Sequence, residues 1–392
     1  MSKLFMFEKP LGMRDTLPLL YEAKMKVRNK MLEEMTTWGY QMIATPALEY
    51  YETVGKESAI QDQQLFTLID QQGHTLVLRP DMTAPIARVA ASKLLKYRIP
   101  VRLAYAANVY RAQQREGGRP AEFEQIGIEC IGHSTVSGDA ESIALLVSVL
   151  RIAGLDHFKI SIGHIGYIHQ LFLDVLHNEE QAERCRKFLY EKNYVGYREH
   201  VKRLRLSEEK EQRLLQLLSL RGLEDIFTQG KALLKNEEGL RAIAELEELY
   251  KQLQDFGVHE YVSFDLSLVC HMSYYTGLLF EVYAGGVGVP IGSGGRYDNL
   301  LSKFNYQAPA TGFAISTDRL MEALGDLDAE KDSYCILYSE KQRTAAIAAA
   351  AVMRKEGKVV ILQDVKGVKD VSAFTNSFTA VQYMVDSEGE EL

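Results

Sequence analysis

The chain has 392 residues, too many for one compact core at ~100 to 200 residues per domain. Hydrophobic residues make up 46% of it and charged residues 25%, a balance that excludes a disordered or fibrous class. Lys and Arg number 45 against 53 Asp and Glu, a formal charge of -8, and an acidic total disfavours a protein that works by neutralising nucleic-acid phosphates.

The four cysteines (Cys130, Cys185, Cys270, Cys335) are far apart and form no CxxC pair, which predicts reduced thiols rather than a disulfide framework or zinc knuckle. The first residues alternate charged and apolar side chains and lack a signal-peptide core. The most apolar run, 143–150, falls short of the ~20 residues of a membrane span. These features predict a cytoplasmic chain with no membrane partner.

In chain order, a turn at Asp15–Pro18 precedes a helix over Tyr21–Met35, which Gly39 stops. Tyr40–Glu49 reads as a strand, confined by Pro46 to an edge or interface. A short strand, Leu76–Leu78, runs into Arg79-Pro80-Asp81, and Met82–Leu95 reads as a helix. Strands follow at Val101–Arg111 and Phe123–Ile131, around a Gly-rich loop at 113–120, and then a helix at Asp139–Ala153. Residues 1–169 would form the first part of a core. Residues 170–257 are rich in Leu, Glu, Lys and Arg, with Leu240, Ile243, Leu246, Tyr250 and Leu253 at helical spacing, which predicts a helical insertion. Residues 258–325 complete the core with strands at Val262–Val269 and Tyr274–Tyr283, a glycine-dense stretch at Gly285–Gly295 and a helix at Thr317–Leu324. Residues 326–392, beyond a linker at Gly325–Asp328, would form a small α/β unit with a frayed acidic end at Asp386–Glu391. Together these elements predict an α+β fold on a largely antiparallel sheet flanked by helices.

Generic chemical motifs are missing. No GK[ST] tripeptide occurs, Ile291 keeps the glycines near 288 from completing GxGxxG, and neither a zincin pair nor a G-x-S-x-G elbow is present, so no cofactor is implied. His164 and His169 are the nearest approach to a metal pair, and no metal site is predicted from them. On the strand 123–131, Phe123, Gln125, Gly127 and Glu129 point one way, and Ile126, Ile128 and Cys130 the other. An ordinary solvent face accounts for that alternation as well as a pocket wall does. With Asp81 and Thr83 arriving from one strand and Arg111 from another, the set suits a zwitterion, whose ammonium needs acceptors and whose carboxylate needs a guanidinium. Tyr274, Tyr275 and Tyr297 complete it, although each taken singly reads as a core residue. Gly285–Gly295 reads equally as a ligand-covering hairpin or a plain β-turn.

Five ordered blocks, LRPDMTAPIAR (78–88), YRAQQREGGRPAEFEQIGIECIG (110–132), SYYTGLLFEVY (273–283), GSGGRYDNL (292–300) and GFAISTDRL (312–320), resemble the catalytic core of histidyl-tRNA synthetases. The likeness runs from Gly12 through Leu324 and implies the class II aminoacyl-tRNA synthetase fold with a helical insertion. It also implies at least a homodimer, formed through the stretch around Ala44–Glu49. A functional synthetase is therefore one reading, but the departures from the family pattern oppose it. Where synthetases carry Arg-Gly-Leu-Asp-Tyr-Tyr, this chain reads Cys270-His271-Met272-Ser273-Tyr274-Tyr275, and a thiol cannot replace a guanidinium that stabilises developing charge. The motif 2 Arg-His-Glu becomes Arg111-Ala112-Gln113 and its Gly-Arg-Tyr-Arg becomes Gly118-Arg119-Pro120-Ala121. Motif 3 keeps Arg319 but has Ser316 for a glycine, and the C-terminal domain is short.

The histidine pocket of that family is mostly retained. By resemblance, Asp81 (shorter than the family Glu), Thr83 and Gln125 would hold the α-ammonium. Glu129 and Tyr275 would address the imidazole, Arg111 the carboxylate, and Tyr274 and Tyr297 the walls. A pocket without its chemistry is similar to that of the regulatory subunits of hetero-oligomeric ATP phosphoribosyltransferase. Their role implies a non-catalytic chain of the first step of histidine biosynthesis. It would work beside a short catalytic subunit, bind L-histidine for feedback inhibition, and use ordering of the 285–295 hairpin as its two-state element.

Overall fold

The computed structural model describes residues 8–58, 60–112, 120–270, 274–325 and 333–385. The chain divides into two compact units, Met1–Gly325 and Asp326–Leu392.

The first unit opens with α1 (Pro18–Thr37), which has a proline in its first turn and buries Val27, Met31 and Met35, one stripe at four-residue spacing. Gly39 follows at φ +81°, a conformation in which glycine is the natural residue after a helix. The predicted single strand over Tyr40–Glu49 is two short ones, β1 (Gln41–Met42) and β2 (Leu48–Tyr50), in different sheets. Between them, the carbonyls of Thr45 and Pro46 accept from the Arg79 guanidinium at 2.6 and 3.3 Å instead of joining a ladder. With β3 (Thr67–Ile69) and β4 (Thr75–Leu78), β2 forms a small antiparallel sheet in the order β2-β4-β3. The next helix is shorter than its pattern: α2 (Thr83–Val89) gives way to a π turn over Ala90–Leu94.

β5 (Val101–Tyr110) and β6 (Glu122–Ile131) pair antiparallel along ten residues, and α3 (Val136–Ile152) follows. Then come β7 (Phe158–His164), α4 (Ile165–Leu176), α5 (Glu179–Tyr190), α6 (Tyr194–Arg203), α7 (Glu208–Gln216), β8 (Arg221–Gly222), α8 (Asp225–Ala232) and α9 (Glu237–Asp255). The apolar stripe of α9 buries Ile243, Leu246, Leu249, Tyr250 and Leu253. Leu240, assigned to that stripe on spacing, is instead 39% exposed near the helix start. β9 (Val262–Asp265) stops short of the predicted Val269 because the Asp265 carboxylate accepts from the amide and hydroxyl of Ser267, closing a turn. β10 (Leu278–Ala284), β11 (Gly292–Arg296), β12 (Ala310–Ser316) and α10 (Thr317–Leu324) complete the unit. Tyr274 and Tyr275 precede β10 rather than lying in it.

Nine strands make one sheet in the order β1-β5-β6-β12-β11-β10-β7-β9-β8. Its neighbours are antiparallel except at β1·β5 and β7·β9. Helix α3 packs against β12 and β6 and also against α1 and α9. The opposite face carries α2, whose Met82, Ile86, Ala87 and Ala90 region packs with Leu103, Tyr105, Val109, Tyr297, Leu300 and Leu301. The second unit is a three-stranded parallel sheet, β14-β13-β15 (β13 Ser333–Tyr338, β14 Val359–Asp364, β15 Ala380–Met384). Its crossovers are α11 (Arg343–Lys355) and α12 (Val371–Thr375). Ile336, Ala346, Ala350 and Val360 form its core. The linker from Asp326, the acidic end from Asp386, loop residues 113–119 and His271–Ser273 lie outside the described residues. Among the described residues no helix is long and apolar enough to cross a membrane.

Candidate functional site

The site forms on the α2 face of the sheet, because alternation along β6 sends Glu129, Gly127 and Gln125 to that side. β4 delivers the next groups. Arg79, 8% exposed, donates from Nε to the Asn108 carbonyl at 2.8 Å as well as to Thr45 and Pro46. That clamp fixes the corner from which Asp81 enters the interior. Asp81 Oδ1 accepts from the Ala84 amide at 3.1 Å at the start of α2, while Oδ2 is buried with no hydrogen-bond partner among the described residues.

Glu129 sits at the centre, 2% exposed. Thr83 Oγ1 donates to its Oε1 at 2.8 Å, and the Tyr297 hydroxyl donates to Oε2. Burial pushes the Glu129 carboxyl up to about 8, against those two donors and with help from the neighbouring Asp81. Burial also raises Asp81, opposed by the Ala84 amide and the Arg111 guanidinium. Arg111 is half-buried, donates from Nε to the Pro80 carbonyl at 2.9 Å and lies 5.3 Å from the Phe123 ring centre. Burial works against its charge while Asp81 supports it. Tyr274 meets Tyr275 edge-on at 5.0 Å and Tyr297 at 5.7 Å. Burial holds all three phenols in their neutral form, well above the ordinary range.

Asp81, Thr83, Arg111, Glu129, Tyr274, Tyr275 and Tyr297 thus converge from separate segments. Gln125 shares their face but lies four residues along β6 from Glu129, opposite Ser316. Cys270 is partly exposed and acts electrostatically on Arg111, Tyr274 and Tyr275, so the thiol does border this site. Two buried carboxylates, one guanidinium and an aromatic wall can hold a small zwitterion carrying a flat ring. Among the described residues no group of three His, Cys, Asp or Glu is placed to hold a metal. His164 pairs instead with Glu245, at 3.1 Å.

The glycine-dense stretch 285–295 divides in the register: its end, Gly295, lies at the site, and its turn does not. Leu279 pairs with Gly295, and Gly295 with Gly312 beside Glu129, so the 285–291 turn leaves the far ends of β10 and β11. At ~3.3 Å per residue it lies about 16 Å along the strands from the site. Arg319 donates to the Pro290 carbonyl of that turn at 2.6 Å. Near the turn, Phe158, Lys159, Tyr261 and Tyr283 line an open surface cleft of about 570 Å³, away from the carboxylates.

The histidyl-tRNA synthetase family model matches residues 12–320, and the model described as "Histidyl-tRNA synthetase HisZ, C-terminal domain" matches 335–386. An ATP phosphoribosyltransferase regulatory subunit of Geobacillus sp. (strain WCH70) is 60% identical over 390 residues, covering 100% of both chains. That of Bacillus subtilis is 55% identical over 388 residues, covering 99% of each. The chain belongs to the family of ATP phosphoribosyltransferase regulatory subunits. A crystal structure from Bacillus halodurans, described as an ATP phosphoribosyltransferase regulatory subunit/histidyl-tRNA synthetase, superposes with a TM-score of 0.93 at 55% identity. It covers 98% of this chain and is itself covered completely. A histidyl-tRNA synthetase from Nostoc sp. PCC 7120, 19% identical with a TM-score of 0.80 over 95% of this chain and 88% of its own, shares the class II fold.

For a member of this family, sequence reasoning missed one residue at the site and one behind it. Tyr105 is buried and charge-coupled to Glu129, Asp81 and Arg111, its hydroxyl occupying the space a side chain on Gly127 would need. The signal was available in Gly127, a bare position on the polar face of β6. Arg296, beside Tyr297, had no comparable local signal.

Proposed function

We propose that this chain is a non-catalytic, cytoplasmic subunit that assembles with a short catalytic subunit of ATP phosphoribosyltransferase. In this reading it activates the first step of histidine biosynthesis and carries the L-histidine site for feedback inhibition. One observation carries the ligand reading: Asp81 Oδ2 is buried and, among the described residues, unpartnered beside Glu129, whose carboxyl is raised by burial. Such a pair gains most from a ligand that brings its own cation into the site. Histidine supplies an ammonium for Asp81 and Thr83, an imidazole for Glu129 and Tyr275, and a carboxylate for Arg111. The site offers acceptors, an anion receptor and aromatic walls, and Cys270 in place of a catalytic cation supports a role without chemistry of its own.

The test is phosphoribosyl-ATP formation by a short-form catalytic subunit, with and without this chain, across a histidine titration. Stimulation that histidine reverses, and that Glu129→Ala makes insensitive to histidine, is the expected result. Histidine-dependent exchange of pyrophosphate into ATP by this chain alone would overturn the reading in favour of a synthetase.

A further inference from the structure

Strand β11 ends in two residues that face opposite ways. Gly295 and Tyr297 lie on the Glu129 side, whereas Arg296 projects among residues of the α3 side and is 8% exposed. Its guanidinium donates to Asp139 Oδ2 from Nε at 3.0 Å and from Nη2 at 2.7 Å. It also donates to the His133 carbonyl at 3.1 Å and the Thr135 carbonyl at 3.0 Å, and reaches Asp298 Oδ1 at 3.5 Å. All but the last of these partners belong to the start of α3 and the turn before it.

The backbone on both flanks of Tyr297 is tied into the same knot. The Arg296 carbonyl accepts from the Thr276 amide at 2.9 Å, and Thr276 Oγ1 accepts from the Asp298 amide at 3.0 Å. Asp298 Oδ1 accepts from the Ala310 amide at 3.2 Å, and the Tyr297 amide donates to the Ala310 carbonyl at 2.7 Å. Thr276 directly follows Tyr274 and Tyr275. One buried guanidinium therefore braces, from behind the sheet, the two segments that carry the tyrosines of the site.

We infer that Arg296 is a positioning residue: by bolting the backbone around Tyr297 and Thr276 to the start of α3, it sets the Tyr297 hydroxyl on Glu129 and places Tyr275 beside it. The inference deepens, and rests on, the reading of this cluster as a histidine site. A buried ion pair is by itself weak evidence for stability, and a constellation of this kind needs its side chains held to about 0.5 Å. A lysine at 296 keeps the charge but loses the fork that reaches four acceptors at once.

The experiment is a double-mutant cycle on histidine affinity, measured by calorimetry with Arg296→Lys and Tyr297→Phe. Arg296 acting through Tyr297 predicts that Arg296→Lys weakens binding about tenfold alone but less than about twofold on the Tyr297→Phe background. Equal factors on both backgrounds, or no loss of affinity, would overturn the inference. Hydrogen exchange on the ligand-free chain supplies a second readout. The amides of Thr276, Tyr297 and Asp298 should exchange faster in Arg296→Lys while those of Ile126 and Ile128 do not, and uniform acceleration would mean a merely structural role. Should Arg296→Lys not fold, Asp298→Asn is put through the same cycle and must give the same pattern. If the wild-type chain binds no histidine, the functional reading fails, and the exchange data alone decide whether Arg296 positions the tyrosines.

Discussion

The Glu129 carboxylate occupies the space that a Cβ on Gly312 would need, and the two residues face each other across β6 and β12. The central acid of the site is accommodated because its cross-strand neighbour has no side chain. Gly312→Ala should therefore expel or distort Glu129 rather than merely crowd the core. A destabilisation of about 1–3 kcal/mol is expected, as for overpacking, with loss of histidine binding. Thermal unfolding and calorimetry on the same preparation check it, and retained affinity would show that Glu129 is not where histidine binds.

Glu129 makes the ligand-free chain sensitive to pH. Its carboxyl is raised from an ordinary 4.5 to about 8, so between those values the folded state keeps a proton that the unfolded state has lost. The contribution is therefore present in full below pH 4.5 and is lost as pH rises towards 8, so stability falls across that window. The ammonium of bound histidine favours the ionised carboxylate, with the neutral imidazole donating to it, so histidine binding should release up to one proton below pH 8 and tighten as pH rises towards it. Calorimetry at pH 7 to 8 in buffers of different ionisation enthalpy measures the release. Glu129→Gln should abolish both the release and the slope in stability.

Asp81→Asn separates stability from function. Oδ1 can still accept from the Ala84 amide, while the unpartnered Oδ2 is replaced by a neutral group at a place where burial already disfavours charge. The ligand-free variant should melt at or above the wild-type temperature, yet bind histidine at least about tenfold more weakly, as expected when a charged hydrogen bond of 1.5–3 kcal/mol is lost. A fall in both melting temperature and affinity would assign Asp81 to the scaffold.

Cys130, Cys185 and Cys335 are buried and Cys270 is not. Iodoacetamide on the native chain should label Cys270 first, read by peptide mass spectrometry. Because Cys270 borders Arg111 and the tyrosines, saturating histidine should slow its labelling. An unchanged rate would place the bound ligand away from the thiol.

The sequence by itself determined which side each residue of a regular element faces, because a period of two or of 3.6 is a local property of the backbone. The division of β6 between Glu129 and Ile128, the buried stripe of α9 from Ile243 onward and the edge character of β1 and β2 were all legible in this way. The family blocks also named seven side chains that the fold brings together. Neighbours across strands were not legible, since they depend on a sheet order in which β6 lies beside β12, β11 and β10 although α3 and the whole helical insertion separate it from them in the chain. That order sends the 285–291 turn away from Glu129, puts the Tyr105 hydroxyl over Gly127 and lets Arg296 reach Asp139, 157 residues away. Only tertiary structure decides such pairings, because a charge or hydroxyl placed on the correct face has no partner until another strand arrives in register.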